Sequence, residues 1–527
     1  MPAKALRTWE GPVPKNIVVF SDGTGQDGGV RPEQRVSNVY KMYRVCRTGP
    51  DSAVDPAEQV AFYDPGLGTD IGATALTAPV RFVQKLLASV TGRGITTNIV
   101  DCYEFIINHY RPGDRIFLIG FSRGAYTARC VANLLMLCGV PTHGADGPLP
   151  RFRKAARDIA QEAVDPVLEH GAGHPRAKYE AERDEQARRF RARYGSAHET
   201  GEPGRSNAAP YFIGVFDTVA ALGATGARRF LIQAGLAVGA ALGLALVGLL
   251  PTAAVAGLLH VYPGLHFWAA FRWVLLLVVV AGGACVWLRE RHSRRKVIRD
   301  FPNPGDVSSH MADWKGENFD RLLSRFVRYA RSANAIDETR KDFDRVAWGG
   351  IQDGAHDHGE GHARLVQLWF AGNHSDIGGS YPEAESRLSD ISLKWMVEEA
   401  TRIPEGLRVD GLKVPGDATG NPKLHLFPAA DGVQHCEIAG MHDTIERSVP
   451  RFLRRFSASW NWAVQVRKIA HDAPVHPTVA ERFELTSVPQ CAGSGAYLPA
   501  ALANHDRFKA RYVAATPGPE TASPATV

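Results

Sequence analysis

Short apolar runs recur along this chain, and each ends in small or polar residues. The runs at residues 16–20, 115–119, 211–216 and 365–370 are rich in β-branched and aromatic side chains, which is typical of buried strands. Apolar positions at helical spacing follow in residues 125–137, which predicts an amphipathic helix there. Strands that alternate with helices favour the α/β class, so we expect a mostly parallel sheet flanked by helices.

Two much longer apolar runs interrupt this alternation. Residues 230–259 carry no charged side chain, and residues 267–288 carry only Arg272. Because a bilayer core needs about 20 apolar residues per helix, we predict a two-helix transmembrane hairpin over 228–296. Arginines flank the hairpin on both sides, whereas its turn has none before Arg272, so both ends should be cytoplasmic. A pair of buried core helices, or a hairpin that inserts only on contact with lipid, remains an alternative.

The stretch Gly120-Phe121-Ser122-Arg123-Gly124 lies where a predicted strand gives way to a predicted helix. A serine between two glycines at such a junction is the pattern of a nucleophile elbow, in which the sharp turn exposes the hydroxyl. The hydroxyl would also lie at the positive end of the following helix. We therefore predict that Ser122 is a catalytic nucleophile.

A nucleophilic serine requires a general base and a carboxylate that orients the base. Asp217 follows the strand predicted at 211–216, and His374 follows the strand predicted at 365–370. Open α/β sheets carry their chemistry at the carboxyl ends of strands, so we predict that His374 is the base and Asp217 its orienting acid. Two alternatives stay open: Asp217 could cap a turn, and Asp376 could orient His374 instead.

The negative oxygen that forms during ester cleavage needs backbone N–H donors. The amide of Arg123, directly after the nucleophile, is the first candidate. Gly23 and Thr24 follow the first predicted strand, and their loop is the candidate for the second donor. An ordinary glycine turn is the alternative interpretation of that loop.

These residues belong to a set of ordered sequence blocks. Together the blocks resemble the α/β-hydrolase domain of unknown function that is shared with type VI secretion phospholipase effectors. The resemblance implies lipid-ester hydrolysis by a Ser-Asp-His relay on Ser122, Asp217 and His374. The blocks lie at residues 20–24, 37–39, 63–69, 120–129, 216–219, 335–340 and 369–379.

The resemblance and the apolar runs together suggest how the chain is organised. We expect a hydrolase domain in two parts, split by the hairpin, and a C-terminal region of unassigned role. The predicted parts are 12–222 with a cap insertion at 145–210, the hairpin at 228–296 with spans at about 230–259 and 267–288, 300–402, the accessory region at 403–515 and a disordered tail at 516–527. Within the accessory region, residues 451–469 suggest an Arg- and Trp-rich helix.

Composition adds little to this picture but excludes some functions. The chain has 61 Lys and Arg against 55 Asp and Glu, and much of the basic excess lies beside the apolar runs, so nucleic-acid binding is not required. His356, His358 and His362 have a spacing that zinc can use, but their Gly- and Asp-rich context favours a solvated loop. We expect no metal and no cofactor. The seven cysteines lack C-x-x-C spacing and are expected to be reduced.

The sequence therefore predicts a membrane-anchored serine hydrolase that cleaves carboxylic esters. We expect these to be acyl esters of phospholipids. Its expected partners are a membrane lipid substrate and the bilayer. The alternatives are a hydrolase of soluble esters that is merely anchored, and a catalytically inactive membrane scaffold. Two locations fit: the bacterial inner membrane with a cytoplasmic catalytic domain, or export as a type VI effector that acts on the membrane of a target cell.

Overall fold

The structure is a computed structural model that describes most of the chain. The described residues are 13–66 (without 25, 27 and 29–34), 93–219 (without 203), 235–261 (in part), 266–314, 323–349, 361–415, 423–438 and 464–515 (without 492). The predicted tail at 516–527, and His356 and His358 of the histidine cluster, lie outside these residues. The predictions about them therefore stay predictions.

Twelve strands occur among the described residues. They are β1 (Asn16–Ser21), β2 (Gln59–Asp64), β3 (Arg115–Phe121), β4 (Pro210–Phe216), β5 (Arg295–Arg299), β6 (Val307–Met311), β7 (Tyr329–Ala335), β8 (Leu365–Phe370), β9 (Leu412–Lys413), β10 (Leu424–His425), β11 (Val488–Gln490) and β12 (Gly493–Gly495).

The helices of the described residues range from one turn to eight turns. They are α1 (Asn38–Cys46), α2 (Arg93–His109), α3 (Arg123–Cys138), α4 (Lys154–Val164), α5 (Glu180–Tyr194), α6 (Gly248–His260), α7 (Phe267–Arg294), α8 (His374–Gly378), α9 (Arg387–Arg402), α10 (Pro477–Glu484) and α11 (Lys509–Ala515).

Six strands form one sheet in the order β2-β1-β3-β4-β7-β8, and every neighbouring pair is parallel. Strands β1 to β4 precede the long apolar segment and β7 and β8 follow it, so both sides of that segment build a single sheet. Because parallel strands end at the same edge, the residues that follow β1, β3, β4 and β8 come close together there.

Helices cover both faces of the sheet. On one face α2, α3, α4 and α5 bury side chains such as Ile106 and Val131 against the strands. On the other face α1 and α9 pack around Met42, Phe117 and Leu393. The strands are apolar on both faces because both faces are covered, as expected for a parallel sheet. The predicted class, α/β with a mostly parallel sheet flanked by helices, is confirmed.

The predicted membrane hairpin is described only in part. Among the described residues, α7 is the one helix long and apolar enough to cross a membrane, whereas α6 is shorter. The two helices contact each other: a Cβ atom on Gly248 would lie 3.0 Å from Cγ1 of Val278. Much of the first half of the first predicted span lies outside the described residues, so the two-helix hairpin remains a prediction.

The C-terminal residues pack against the edge strand β8 and form their own apolar cluster. Val475 makes a parallel bridge to Trp369 of β8, and Phe483 and Tyr497 are buried beside it. Residues 464–469, the described part of the helix predicted at 451–469, are not helical and contain a bridge between Val464 and Arg340. This part of the helix prediction is wrong because backbone contacts with the loop after β7 override the local pattern.

Two cysteines of this region are bonded to each other. A disulfide joins Cys436 to Cys491, across 55 residues of sequence. The expectation of reduced thiols throughout the chain is therefore wrong for this pair. The bonded cysteines lie too far apart in sequence for spacing to indicate them, and disulfides of this kind are typical of proteins that meet an oxidising compartment.

Candidate active site

The turn between β3 and α3 holds Ser122 in a strained backbone conformation, with φ 57° and ψ −122°. The two glycines of the motif are required by close approach. A Cβ atom on Gly120 would lie 2.5 Å from the carbonyl oxygen of Gly124, and one on Gly124 would lie 2.1 Å from that of Ser21. The amide of Ser122 donates to the carbonyl of Phe216 at 3.1 Å, which fixes the turn to the end of β4.

Asp217 and His374 meet at the same edge of the sheet. His374 Nδ1 donates to Asp217 Oδ2 at 2.6 Å, and both residues are buried. Because an ionised carboxylate only accepts, the proton of the neutral imidazole lies on Nδ1, and Nε2 carries a lone pair. Among the described residues, Nε2 has no hydrogen-bond partner. The Asp217 carboxylate therefore fixes the tautomer and the orientation of the imidazole.

Phe121, the residue before Ser122, contacts the imidazole of His374. The rings of Phe121 and His374 lie 4.7 Å apart, and the Phe121 ring is wedged so closely against α8 that Gly378 has no room for a Cβ atom. Ser122 Oγ and His374 Nε2 are not hydrogen-bonded to each other, because Nε2 has no partner in the described part of the chain. Such contacts often tighten only when substrate binds.

Arg467 is a site residue that sequence reasoning missed. Its Nη1 donates to Asp217 Oδ1 at 2.5 Å and its Nη2 to Asp217 Oδ2 at 2.9 Å. The guanidinium also donates to the carbonyl oxygens of Ala335 at 3.1 Å and Phe343 at 2.9 Å. Burial by itself would raise the pKa of Asp217, but the charge of Arg467 and the hydrogen bond from His374 outweigh it and hold that pKa well below its usual range.

The alternative orienting acid, Asp376, has other partners. Its Oδ1 faces Nδ1 of His435 at 2.7 Å, and its Oδ2 accepts the amide of Asn373 at 3.0 Å, which caps the start of α8. Asp376 thus holds the short helix that carries His374, while Asp217 contacts the imidazole itself. A second acid acts on the backbone: Glu338 Oε2 accepts the amide of His374 at 3.2 Å.

The backbone amides of Arg123, Gly23 and Thr24 are the candidate oxyanion donors, and this role stays a prediction. Arg123 is the first residue of α3, where backbone amides have no carbonyl partner within the helix. Gly23 lies close to Ser122, because a Cβ atom on Gly23 would be 3.3 Å from Cβ of Ser122. The Gly23 amide already donates to Asp22 Oδ1 at 2.7 Å, so Thr24 is the better remaining candidate of the two.

Asp22 is a second residue that sequence reasoning did not single out for a role. Its buried carboxylate accepts from Ser37 Oγ at 2.5 Å and from the Tyr63 hydroxyl at 2.7 Å, besides the amide of Gly23. Burial raises the pKa of Asp22 to about 6, although these hydrogen bonds oppose the rise. Three of the sequence blocks thus come together around one carboxylate, which positions the loop beside Ser122.

Comparison with known proteins agrees with this architecture. The family model of the T6SS phospholipase effector Tle1-like catalytic domain matches residues 15–238 and 298–399, more than half of the chain. The unmatched residues 239–297 contain most of the predicted hairpin. A region of 137 residues is 32% identical to the uncharacterized protein YEL023C of Saccharomyces cerevisiae, and covers 25% of this chain and 19% of that protein.

Two solved structures match this chain at low identity and with low TM-scores. An uncharacterized protein from Pseudomonas aeruginosa is 16% identical with a TM-score of 0.30, over 75% of this chain and 46% of that one. The Tle1 effector bound to the VgrG spike of the type VI secretion system is 17% identical with a TM-score of 0.25, over 73% and 56% of the two chains. The chain spans about a fifth of the yeast relative and about half of these solved chains.

The resemblance stated from the sequence blocks is confirmed by the family match. The predicted enzyme class, a carboxylic ester hydrolase of the lipase or phospholipase type, is confirmed at the level of the family. The matched segments include Ser122, Asp217 and His374, and their strands form one continuous sheet. The chain therefore belongs to the family of Tle1-like phospholipase effector catalytic domains of type VI secretion.

Proposed function

We propose that this protein hydrolyses acyl esters of phospholipids, with Ser122 as nucleophile, His374 as general base and Asp217 as the acid that orients it. The observation that carries the proposal is the buried hydrogen bond between His374 Nδ1 and Asp217, at the same edge of the sheet as a serine in a strained turn. Strain of this kind persists only where the surrounding structure imposes it, and it is common at active sites.

The proposed reaction has two steps. Ser122 Oγ attacks the ester carbonyl and its proton passes to His374 Nε2, while the oxyanion accepts N–H bonds from Arg123 and Thr24. The intermediate then expels the lysophospholipid alcohol, which takes the proton from the imidazolium. His374 then takes a proton from water, which attacks the acyl-enzyme and releases the fatty acid. The imidazolium returns that proton to Ser122 Oγ.

A comparison of substrates tests this proposal. Vesicles of a diacyl phospholipid and a short water-soluble ester are offered at equal ester concentration, and mass spectrometry measures the fatty acid and lysophospholipid released. We expect turnover on vesicles to be higher by about tenfold or more, because binding of the remote acyl chain is used in the transition state. Vesicles of a diether lipid with the same headgroup are the matched control and should yield no product.

Each other outcome of this comparison supports an alternative. Faster cleavage of the soluble ester would favour a hydrolase of soluble esters that is only anchored at the membrane. If the protein cleaves neither substrate although thermal unfolding shows that it is folded, an inactive scaffold would be favoured.

We further propose that α7, together with the segment before it, anchors the catalytic domain to a bilayer. Side chains such as Leu276, Leu277 and Val280 of α7 are more than half exposed, although they are apolar. A long exposed apolar surface of this kind requires lipid or protein to cover it. The gap in the family match between residues 238 and 298 supports an insertion that the family domain does not require.

Replacement of the exposed face of α7 tests the anchor. In the triple variant Leu276→Gln, Leu277→Gln, Val280→Gln, we expect co-flotation with vesicles to fall by roughly tenfold or more, because three apolar side chains lose their transfer energy into lipid. Turnover of a soluble ester should stay within about twofold, since α7 lies outside the proposed relay. Val513→Gln, at an exposed apolar position of α11, is the matched control and should float as the wild type does. Unchanged flotation of the triple variant would contradict the anchor.

Of the two locations, family membership supports export. Among the described residues, one helix is long and apolar enough to cross a membrane, and one such helix does not support a multi-pass protein of the inner membrane. The disulfide Cys436–Cys491 also fits a protein that meets an oxidising compartment. Because a Tle1 effector has been solved on the VgrG spike, we propose a secretion spike of this kind as a partner.

A further inference from the structure

Two histidines and a glutamate meet outside the candidate active site. His170 lies on the 3-10 turn Leu168–Gly171, Glu182 on α5 and His310 on β6, so the cluster joins three separate elements. His170 Nε2 is 2.7 Å from Glu182 Oε2, and His310 Nδ1 is 3.9 Å from the same oxygen. All three ligand atoms lie within 4.8 Å of one another. Ligand atoms around a tetrahedral Zn²⁺ are about 3.4 Å apart, so small side-chain shifts would complete such a site.

The hydrogen bonds of His310 determine which of its nitrogens is available. Its Nε2 faces the carbonyl oxygen of His170 at 2.6 Å and must therefore donate. In the neutral ring Nδ1 then carries a lone pair, and this atom is buried and has no partner among the described residues. A nitrogen lone pair and a carboxylate oxygen repel each other, and a cation bound between them would remove this repulsion. A backbone carbonyl that accepts from the far ring nitrogen is also the usual support of a metal-binding histidine.

The surrounding residues fix the three side chains. Tyr179 stacks on the His310 ring, with centroids 3.7 Å apart and an interplanar angle of 8°. Ser308 Oγ donates to Glu182 Oε1 at 3.1 Å, which leaves Oε2 for the cluster. The His170 side chain is fully buried. Ligands held in this way lose little conformational freedom when a metal binds.

We propose that His170, Glu182 and His310 form a structural binding site for Zn²⁺, through His170 Nε2, Glu182 Oε2 and His310 Nδ1, with water as the fourth ligand. Two imidazoles and one carboxylate form a ligand set that zinc accepts. Binding moves the His170 proton from Nε2 to Nδ1, so both rings stay neutral. The three ligands are separated by up to 140 residues, which is why spacing along the chain gave no sign of them.

The position of the site indicates its role. Strands β5 and β6 form an antiparallel hairpin that begins directly after α7. Zinc would hold this hairpin to α5, beside the ion pairs of Lys296 with Asp165 at 2.5 Å and Glu169 at 2.9 Å. The site would therefore clamp the base of the apolar helix to the body of the protein. This role is independent of the proposed ester hydrolysis.

Zinc binding by the full-length protein tests the proposal. Protein is stripped with a chelator, dialysed against Zn²⁺ and analysed by mass spectrometry for bound metal and by thermal unfolding. We expect one zinc per chain and a Tm that rises by roughly 3 °C or more, because an ion that binds only the folded state stabilises it. His310→Gln should weaken zinc binding by at least about tenfold. His174→Gln is the matched control and should bind as the wild type does, since Nε2 of His174 faces the carbonyl of Met311.

A spectroscopic measurement keeps the test independent of the variants. Co²⁺ in place of Zn²⁺ should give the visible absorption bands of a tetrahedral site with nitrogen ligands. Failure of the stripped wild type to retain zinc, equal zinc in the wild type and His310→Gln, or an octahedral Co²⁺ spectrum would each overturn the proposal.

Discussion

Ester hydrolysis should fall by roughly 10³-fold or more in Ser122→Ala. The proposed nucleophile and its base act as one unit, so loss of the serine hydroxyl removes most of the catalysis that the pair provides. A fluorophosphonate probe should label the wild type and fail to label this variant. Ser52→Ala, which removes a serine hydroxyl from a loop far along the chain from the elbow, is the matched control and should keep both activity and labelling. Labelling that persists in Ser122→Ala would remove this serine from the mechanism.

The strained turn allows a sharper form of the same experiment. Ser122 has a positive φ of 57°, which glycine adopts without strain and alanine does not. We expect Ser122→Gly to be as inactive as Ser122→Ala but more stable by about 1 kcal/mol, after the greater freedom of glycine in the unfolded chain is subtracted. Denaturant unfolding measures the difference. Equal stability of the two variants would indicate that the elbow stores no strain.

Arg467→Met should lower kcat/KM by about 100-fold or more, because it leaves the buried carboxylate of Asp217 without its cation. Burial raises the pKa of Asp217 and Arg467 opposes that rise, so the pKa must increase in the variant. A protonated Asp217 no longer stabilises the imidazolium. The acid limb of the pH profile of kcat/KM should therefore move to higher pH, which loss of folded protein alone would not cause.

Two control variants separate the charge effect from a packing effect. Arg467→Lys keeps the charge but not the paired N–H bonds, so the acid limb should move less than in Arg467→Met. Arg482→Met removes an equally buried guanidinium that donates to the carbonyls of Ala430 and Gly432. It should lower stability and leave the pH profile in place. An unshifted profile in Arg467→Met would contradict the positioning role of Arg467.

The positions of the candidate site followed from local patterns. The elbow could be predicted because a strand, two glycines and a helix fall within about 25 consecutive residues. Asp217 and His374 could be predicted because each follows an apolar run, and parallel strands end at one edge. The structure brings these two residues together, and their catalytic roles stay predictions until the variants are measured.

Arg467 could not be predicted in the same way. It lies 250 residues from Asp217 in sequence, and nothing in the surrounding Arg- and Trp-rich segment distinguishes it from a solvated arginine. The same holds for the bonded Cys436 and Cys491 and for the histidines of the proposed zinc site. Each of these pairings depends on how the chain folds back on its own sheet, and such contacts leave no periodic trace.

The docking of the C-terminal segment has a consequence for when the protein becomes competent during synthesis. The elbow, the acid and the base are all translated before residue 380, but the guanidinium that compensates Asp217 arrives only with residue 467. Until that segment has been translated and has docked, Asp217 lacks the charge that does most to lower its pKa. The proposed relay therefore acquires its full set of contacts only late in synthesis, after all three of its own residues have been made.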